Sequence, residues 1–317
     1  MMAIIVDDEN FVRAETDRMF AGLQAAAGGA NRWNHYRVPT PIDQQTIIRM
    51  NRDTLYSLAV VDASKGVTLT VPESGERYLS VMVIDEDHYV KRIFHEPGTY
   101  TLTAEEIGTP YAAFGARVLL DETDPDDLAR VHAIQDGLVI EAGSSEPFSM
   151  PDYDEPSFTA TREAVLEEVR RVGLDGGTHG MFGDKDEVDK TQHLLGTAAG
   201  WGGLPETEAF YVSEEPHLPV GTYQITVKDV PVDAFWSISL YNAAGFFEQN
   251  PLGAYSVNNI NGTKNGDGSV TVRFGGDGSL PNTLPLTEGW NYLVRMYRPR
   301  PEILDGTWKF PQLEPVS

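Results

Sequence analysis

The chain has 317 residues, 41% of them hydrophobic and 10% aromatic, which is material for one large or two ordinary folded domains and excludes a disordered chain. Its net charge of −24 repels phosphate backbones, so nucleic acid and anionic membrane surfaces are excluded as expected partners. The absence of cysteine removes disulfides, thiolate metal sites and a Cys nucleophile together.

The opening "MMAIIVDDENFVRAE" has a short apolar stretch without a basic leader and does not read as a secretory signal. No apolar run reaches the roughly 18 residues that a bilayer span requires. A cytoplasmic location is the default expectation, with a periplasmic or secreted one as the alternative. Residues 9–27 are predicted as a helix with Val12, Met19, Phe20, Leu23 and Ala27 on one face, acids at its start and Gly28-Gly29 at its end. From Ile47 to about Tyr100 the pattern is that of strands, "TIIRMNRDTLYSLAVVD", "GVTLTVP", "RYLSVMVID" and "GTYTLT", separated by Gly- and Pro-containing turns, and "AAFGARVLLD" adds another strand. "DPDDLARVHAIQDG" is a helix with Pro125 near its first turn, and "LVIEA" returns to strand. Residues 144–156 read as a connector. Residues 157–174 and 188–200 read as helices on either side of a loop. A second β region follows, with "GTYQITVKDV", "AFWSISLYN", "GSVTVRFGG" and "NYLVRMYRP" alternating around "NAAG", "NGDG" and "GGDG" turns. The expected fold is mainly β with helical insertions (α+β). It comprises two antiparallel β-sandwich or jelly-roll-like domains at 1–150 and 209–317, joined by a helical connector at 151–208.

Within the first strand region, "MNRDTLYS" is anomalous, because a buried strand pays for charge unless the charge is paired. A continuous strand puts Asn51, Asp53, Leu55 and Ser57 on one side and Arg52, Thr54, Tyr56 and Leu58 on the other. Two readings stand side by side: a structural ion pair, or the polar floor of a ligand pocket. In "FWSISLYN", Trp236, Ile238 and Leu240 share one face, with Trp236 expected to anchor the core; Phe235, Ser237, Ser239 and Tyr241 share the other. In "YLVRMYRPR", Leu293, Arg295 and Tyr297 share a face, so Arg295 needs an acid or an anion. It either holds a substrate carboxylate or sulfate, or pairs with Asp53 or another structural acid.

"NRDTLYS" resembles the hallmark of the N-terminal domain in a two-domain bacterial family, families of unknown function 1254 and 1214. "RYLSVMVIDEDHY" and "EPGTYTLT" resemble that domain further. "AFWSISLYNAAGFFEQN", "NGDGSVTV", "NTLPL", "VRMYRP" and "LDGTWKFP" resemble the second domain in order and spacing. Thr283 departs from the tryptophan that the family tends to carry there, a change expected in one wall of a pocket. The resemblance implies two β-sandwich-like domains and gives weight to the Asn-Arg-Asp and Phe-Trp-Ser segments. Metal-dependent sulfate-ester hydrolysis is a candidate activity it brings.

None of the seven histidines forms a local metal-binding spacing, so any divalent ion would need ligands from distant positions. "VIDEDHYV" offers Asp85, Asp87 and His88 at a strand end, and His35 lies among aromatics in "RWNHYR", as a packed residue or a proton carrier. "NGTKNGDGSVTV" lacks the terminal Glu of a calcium loop and reads as a hairpin. No Gly-rich phosphate loop and no GxSxG motif is present, so neither a nucleotide cofactor nor an α/β-hydrolase is expected.

The expectation is a small-molecule hydrolase. Asp53 serves as base or metal ligand, Arg52 or Arg295 stabilises an anion, and His35 or Asp85 supports them. Asn51, Tyr56, Trp236, Tyr241 and Tyr297 complete the candidate substrate contacts. Two rivals remain: a binding protein for carbohydrate or a hydrophobic metabolite, and a homo-oligomeric assembly module.

Overall fold

A computed structural model describes residues 3–45, 47–172 and 177–316. Thr46 and Gly173–Leu174, at the ends of two predicted elements, lie outside the described residues. Two compact units emerge, and neither is continuous in sequence. Unit 1 comprises 1–37, 55–119 and 128–205; unit 2 comprises 38–54, 120–127 and 206–317. The helical stretch read as a connector is therefore part of unit 1, and the Asn-Arg-Asp segment is part of unit 2.

Unit 1 opens with α1 (Phe11–Ala27). Its buried face is Phe11, Ala14, Phe20 and Leu23 together with Glu15, Thr16 and Asp17, so Val12, Met19 and Ala27 are only half-buried and the inward face is turned from the predicted one. Gly28, at φ 72°, closes the helix in a left-handed cap. The strands β1 (Asn34–His35), β2 (Thr54–Asp62), β3 (Val67–Val71), β4 (Leu79–Asp85), β5 (Val90–Phe94), β6 (Gly98–Leu102), β7 (Tyr111–Leu119) and β8 (Val139–Ala142) form two sheets. Their orders are β1-β2-β7-β4-β5 and β6-β3-β8. The helices of this stretch are α2 (Ala104–Ile107), α3 (Asp127–Asp136), α4 (Glu155–Val172) and α5 (Lys190–Gly200). Phe11 and Ala14 of α1, Phe158 and Val165 of α4, and Leu195 and Ala198 of α5 share one apolar cluster.

The predicted strand over 46–62 starts only at Thr54. Arg49 sits at φ 52°, and Asn51 Oδ1 accepts from the Asp53 backbone N–H at 2.8 Å, a local turn that competes with strand pairing. The face assignment for residues 51–53 therefore does not hold, because alternation applies only from Thr54 onward.

Unit 2 is a two-layer sandwich. Its strands are β9 (Ala209–Glu214), β10 (Tyr223–Val227), β11 (Trp236–Tyr241), β12 (Ser256–Asn258), β13 (Val270–Phe274), β14 (Thr283–Leu284), β15 (Asn291–Tyr297) and β16 (Glu314–Pro315); α6 (Pro301–Leu304) follows β15. The sheets run β12-β11-β15-β9 and β14-β13-β10-β16. Inward residues of both meet in one core: Ile225 and Val272 from one sheet, Trp236, Ile238, Val294 and Met296 from the other. The β13–β14 pair is parallel, so this sheet is mixed rather than wholly antiparallel, and the strand orders give no support to a jelly roll.

Candidate functional site

The outer face of the β11–β15 sheet is where unit 2 concentrates its buried polarity. With Trp236, Ile238 and Leu240 committed to the core, strand alternation turns Ser237, Ser239 and Tyr241 the other way. β15 does the same with Leu293, Arg295 and Tyr297. The segment 38–54 lies over this face: Ile42 and Met50 pack on Tyr241, Phe247 and Leu293.

Arg295 is 3% exposed, and its Nη1 and Nη2 groups donate to neutral oxygens. Nη1 donates to Ser239 Oγ at 2.8 Å; Nη2 donates to Tyr241 OH at 2.8 Å and to the carbonyls of Arg49 and Met50 at 2.7 and 3.2 Å. Burial alone would push this guanidinium down, but Tyr241, Tyr297 and Asp53 outweigh it and hold the group above its ordinary value. The sequence reading that paired Arg295 with Asp53 or another structural acid needs correcting. Arg295 has no carboxylate ion pair among the described residues, and it is a strut that fixes the 49–50 backbone.

Asp53, 2% exposed, sits beside it. Oδ2 accepts from Ser237 Oγ at 2.6 Å, whereas Oδ1 accepts only at long range, from Ser256 Oγ at 3.3 Å and Asn258 Nδ2 at 3.4 Å. Among the described residues, no cation is hydrogen-bonded to it. A polar cavity of about 430 Å³ is lined by Arg52, Asp53, Glu122, Tyr255, Ser256 and Asn258 among others. The partners of Oδ1 line this cavity and the partner of Oδ2 does not, which puts the weakly held oxygen on the cavity side. Thr283 is also in the wall, as the resemblance led us to expect.

Arg52 is the cavity's cation. Nη1 donates to the Thr40 carbonyl at 2.8 Å, and Nη2 donates to both carboxylate oxygens of Glu122, at 2.9 and 3.2 Å. Its guanidinium carbon lies 5.1 Å from the Tyr255 ring centre. Its Nε is buried without an acceptor. Burial pushes Glu122 above the usual carboxylate range against the pull of Arg52, and the charge of Asp53 pushes the same way.

The other candidates fall elsewhere. Asn51 positions Asp53 through its backbone N–H and donates Nδ2 to Tyr297 OH at 3.1 Å. Tyr297 stacks on Phe235 at 4.2 Å, and Tyr241 donates to the Met50 carbonyl; both are buried, and neither lines the cavity. Trp236, 5% exposed, lies in the sandwich core and does not line the polar cavity. His35, Tyr56 and Asp85 belong to unit 1. His35 Nδ1 is 2.8 Å from Ser57 Oγ, and burial, then Arg37, pushes the imidazole below its ordinary value. The Tyr56 ring lies 5.3 Å from the Arg117 guanidinium. Asp85 accepts from the backbone N–H groups of Asp87 and Tyr89, each at 2.9 Å, and burial raises it to about 6.

Sequence reasoning missed Glu122, Tyr255, Ser256 and Asn258. Glu122 is 70 positions from Arg52, and no local spacing announces the pair. A signal did exist for Ser237 and Ser239, two hydroxyls on the face opposite Trp236 of an otherwise apolar strand. Among the described residues, no group of three or more His, Cys, Asp or Glu side chains is arranged to hold a metal ion.

Residues 30–142 match the model of a protein family of unknown function, DUF1254, and residues 213–301 match that of a second, DUF1214. No curated protein matches the chain. The fold is similar to the crystal structure of the VPA0106 protein from Vibrio parahaemolyticus, at 17% identity and a TM-score of 0.71 over 98% of both chains. It is also similar to an uncharacterized protein from Burkholderia cenocepacia, at 15% identity and a TM-score of 0.53 over 95% of this chain and 86% of that one.

Proposed function

Taking as premise that the chain belongs to the two-domain family that carries DUF1254 and then DUF1214, we propose that it is a small-molecule hydrolase whose proton acceptor is Asp53. The observation that carries this reading is the asymmetry of one carboxylate. Oδ2 is fixed by Ser237 at 2.6 Å, while cavity-side Oδ1 has only contacts of 3.3 and 3.4 Å, which a substrate or water donor can replace. In the proposed step, Oδ1 takes a proton from water as the water oxygen bonds to the electrophilic centre of an ester. The bond to the leaving oxygen breaks, and that oxygen takes the proton back from Asp53. Arg52, with a buried Nε–H that lacks an acceptor, is the donor available to the charge that develops on the ester. No step is routed through a metal ion.

The test is a panel of aryl esters and aryl sulfate esters, assayed with wild type and Asp53→Asn. We expect the variant to fold and to lose about 10²-fold or more in kcat. Undiminished turnover by Asp53→Asn refutes the role. Turnover that EDTA abolishes and a divalent ion restores assigns the chemistry to metal instead. Binding without turnover across the panel would favour the rival reading, a binding platform built on the Arg52–Tyr255 contact.

A further inference from the structure

Unit 2 contains a second, larger cavity that the Asp53 chemistry does not use. It measures about 780 Å³, and its walls include Phe210, Val212, Tyr292, Met296, Trp308 and Phe310. The inner wall is the sandwich core itself: Tyr292, Val294 and Met296 of β15 are buried in the cluster shared by both sheets. The lip is different. Phe210, Val212, Trp308, Phe310 and Leu313 pack on that cluster while remaining only partly buried. Apolar surface is thus left to water in a concave place, where filling it with hydrocarbon is favourable.

The outer wall is held at both ends. The Trp308 backbone N–H donates to the Glu302 carbonyl at 2.8 Å, and beyond Leu313 the chain pairs as β16 with Tyr223 and Gln224 of β10. Trp308 and Phe310 meet edge to face at 5.9 Å, and Phe310 meets the core Trp236 at 6.0 Å. The segment is therefore a fixed strap across the open side of the sandwich. The strap and the edge strand β9 frame an entrance that a small molecule fits.

Charge narrows the class. Glu214 and Lys309 on the lining are of opposite sign, so the entrance selects neither a cation nor an anion, and the net charge of −24 opposes anions at longer range. We propose that this cavity is a binding site for an uncharged, chiefly hydrocarbon small molecule, such as a long-chain alcohol or an aromatic hydrocarbon. Its volume falls within the roughly 300–1,000 Å³ of ordinary small-molecule sites.

The experiment uses the full chain and the uncharged fluorescent probe N-phenyl-1-naphthylamine, with dodecanol and dodecanoate as competitors. The expected result is saturable probe fluorescence, displaced by dodecanol at lower concentration than by dodecanoate. Val212→Trp, which fills the cavity from its lip, should weaken the probe by about tenfold or more. Trp308→Phe, which removes an indole from the cavity wall, should reduce energy transfer from protein to probe and weaken the probe less than Val212→Trp does, so the site stays testable if Val212→Trp does not fold. Absence of saturable binding, or binding insensitive to both variants, overturns the proposal. Tighter competition by dodecanoate overturns the uncharged class. A dimer in sedimentation velocity that Val212→Trp dissolves assigns the face to a second copy of the chain and overturns the proposal as well.

Discussion

Asp85 in unit 1 and Asp53 in unit 2 are both almost fully buried carboxylates, 4% and 2% exposed, and both stand among the residues that the sequence singles out. Their donors separate them. Asp85 accepts from backbone N–H groups two and four residues further on, so it clasps the loop after β4, as Asp does in local turns throughout proteins. Asp53 is held by side chains 184, 203 and 205 positions away, brought together only by the fold. A carboxylate held by its own loop stabilises that loop. One assembled from distant strands, with an oxygen held only by long contacts, is the one to which we assign the proposed ligand role. Burial by itself distinguishes nothing here.

The comparison can be broken at several points. The largest effect is expected beneath the site. Arg295→Met removes the donor of four hydrogen bonds and leaves buried oxygens unmatched, and it should cost about 3–5 kcal/mol in chemical denaturation. A loss near zero would mean that the 49–50 backbone does not depend on it. Next, Asp53→Asn should cost about 10²-fold or more in turnover, while Asp85→Asn should leave turnover within about twofold; equal losses in the two variants would erase the distinction drawn between them.

Asp85 then gives a pH test. Burial raises its folded value to about 6, above the ordinary 3.8, so the folded state binds the proton more tightly than the unfolded one. Its contribution is thus most favourable below pH 4 and is lost as pH rises through 6. Asp85→Asn keeps both backbone N–H bonds without the buried charge. It should gain about 3 kcal/mol relative to wild type at pH 7 and only about 0.5 kcal/mol near pH 4, read from denaturant midpoints. A constant difference across that range contradicts the assignment. The smallest effect is expected for Glu122→Gln. Its ion pair with Arg52 is partly solvated, and stability should fall by only about 0.5–1 kcal/mol, with any larger change appearing in KM.

Much of this was readable from periodicity. The alternation in "FWSISLYN" put Trp236, Ile238 and Leu240 on one face, with Trp236 expected in the core, and that in "YLVRMYRPR" put Arg295 on a face with Leu293 and Tyr297; the structure has Trp236, Ile238 and Leu240 in the core, and Arg295 is not among the core residues. Asn51, Arg52 and Asp53 were found as an anomaly but given the wrong local structure, because an Asn side chain bonding to the backbone two residues on looks, in sequence, like one more polar strand position. The cavity's other walls were not legible. Glu122, Ser256 and Asn258 come from segments separated by long stretches of chain, and their short polar side chains carry no pattern until β11, β12 and the 120–127 segment are brought into one unit.

The most direct measurement is a crystal structure of Asp53→Asn soaked with the substrate that wild type turns over. The account predicts the substrate in the cavity of Arg52, Asn258 and Tyr255, with a polar atom within hydrogen-bond distance of the residue 53 side-chain atom that replaces Oδ1. Substrate bound anywhere else, with that cavity holding only water, would contradict it.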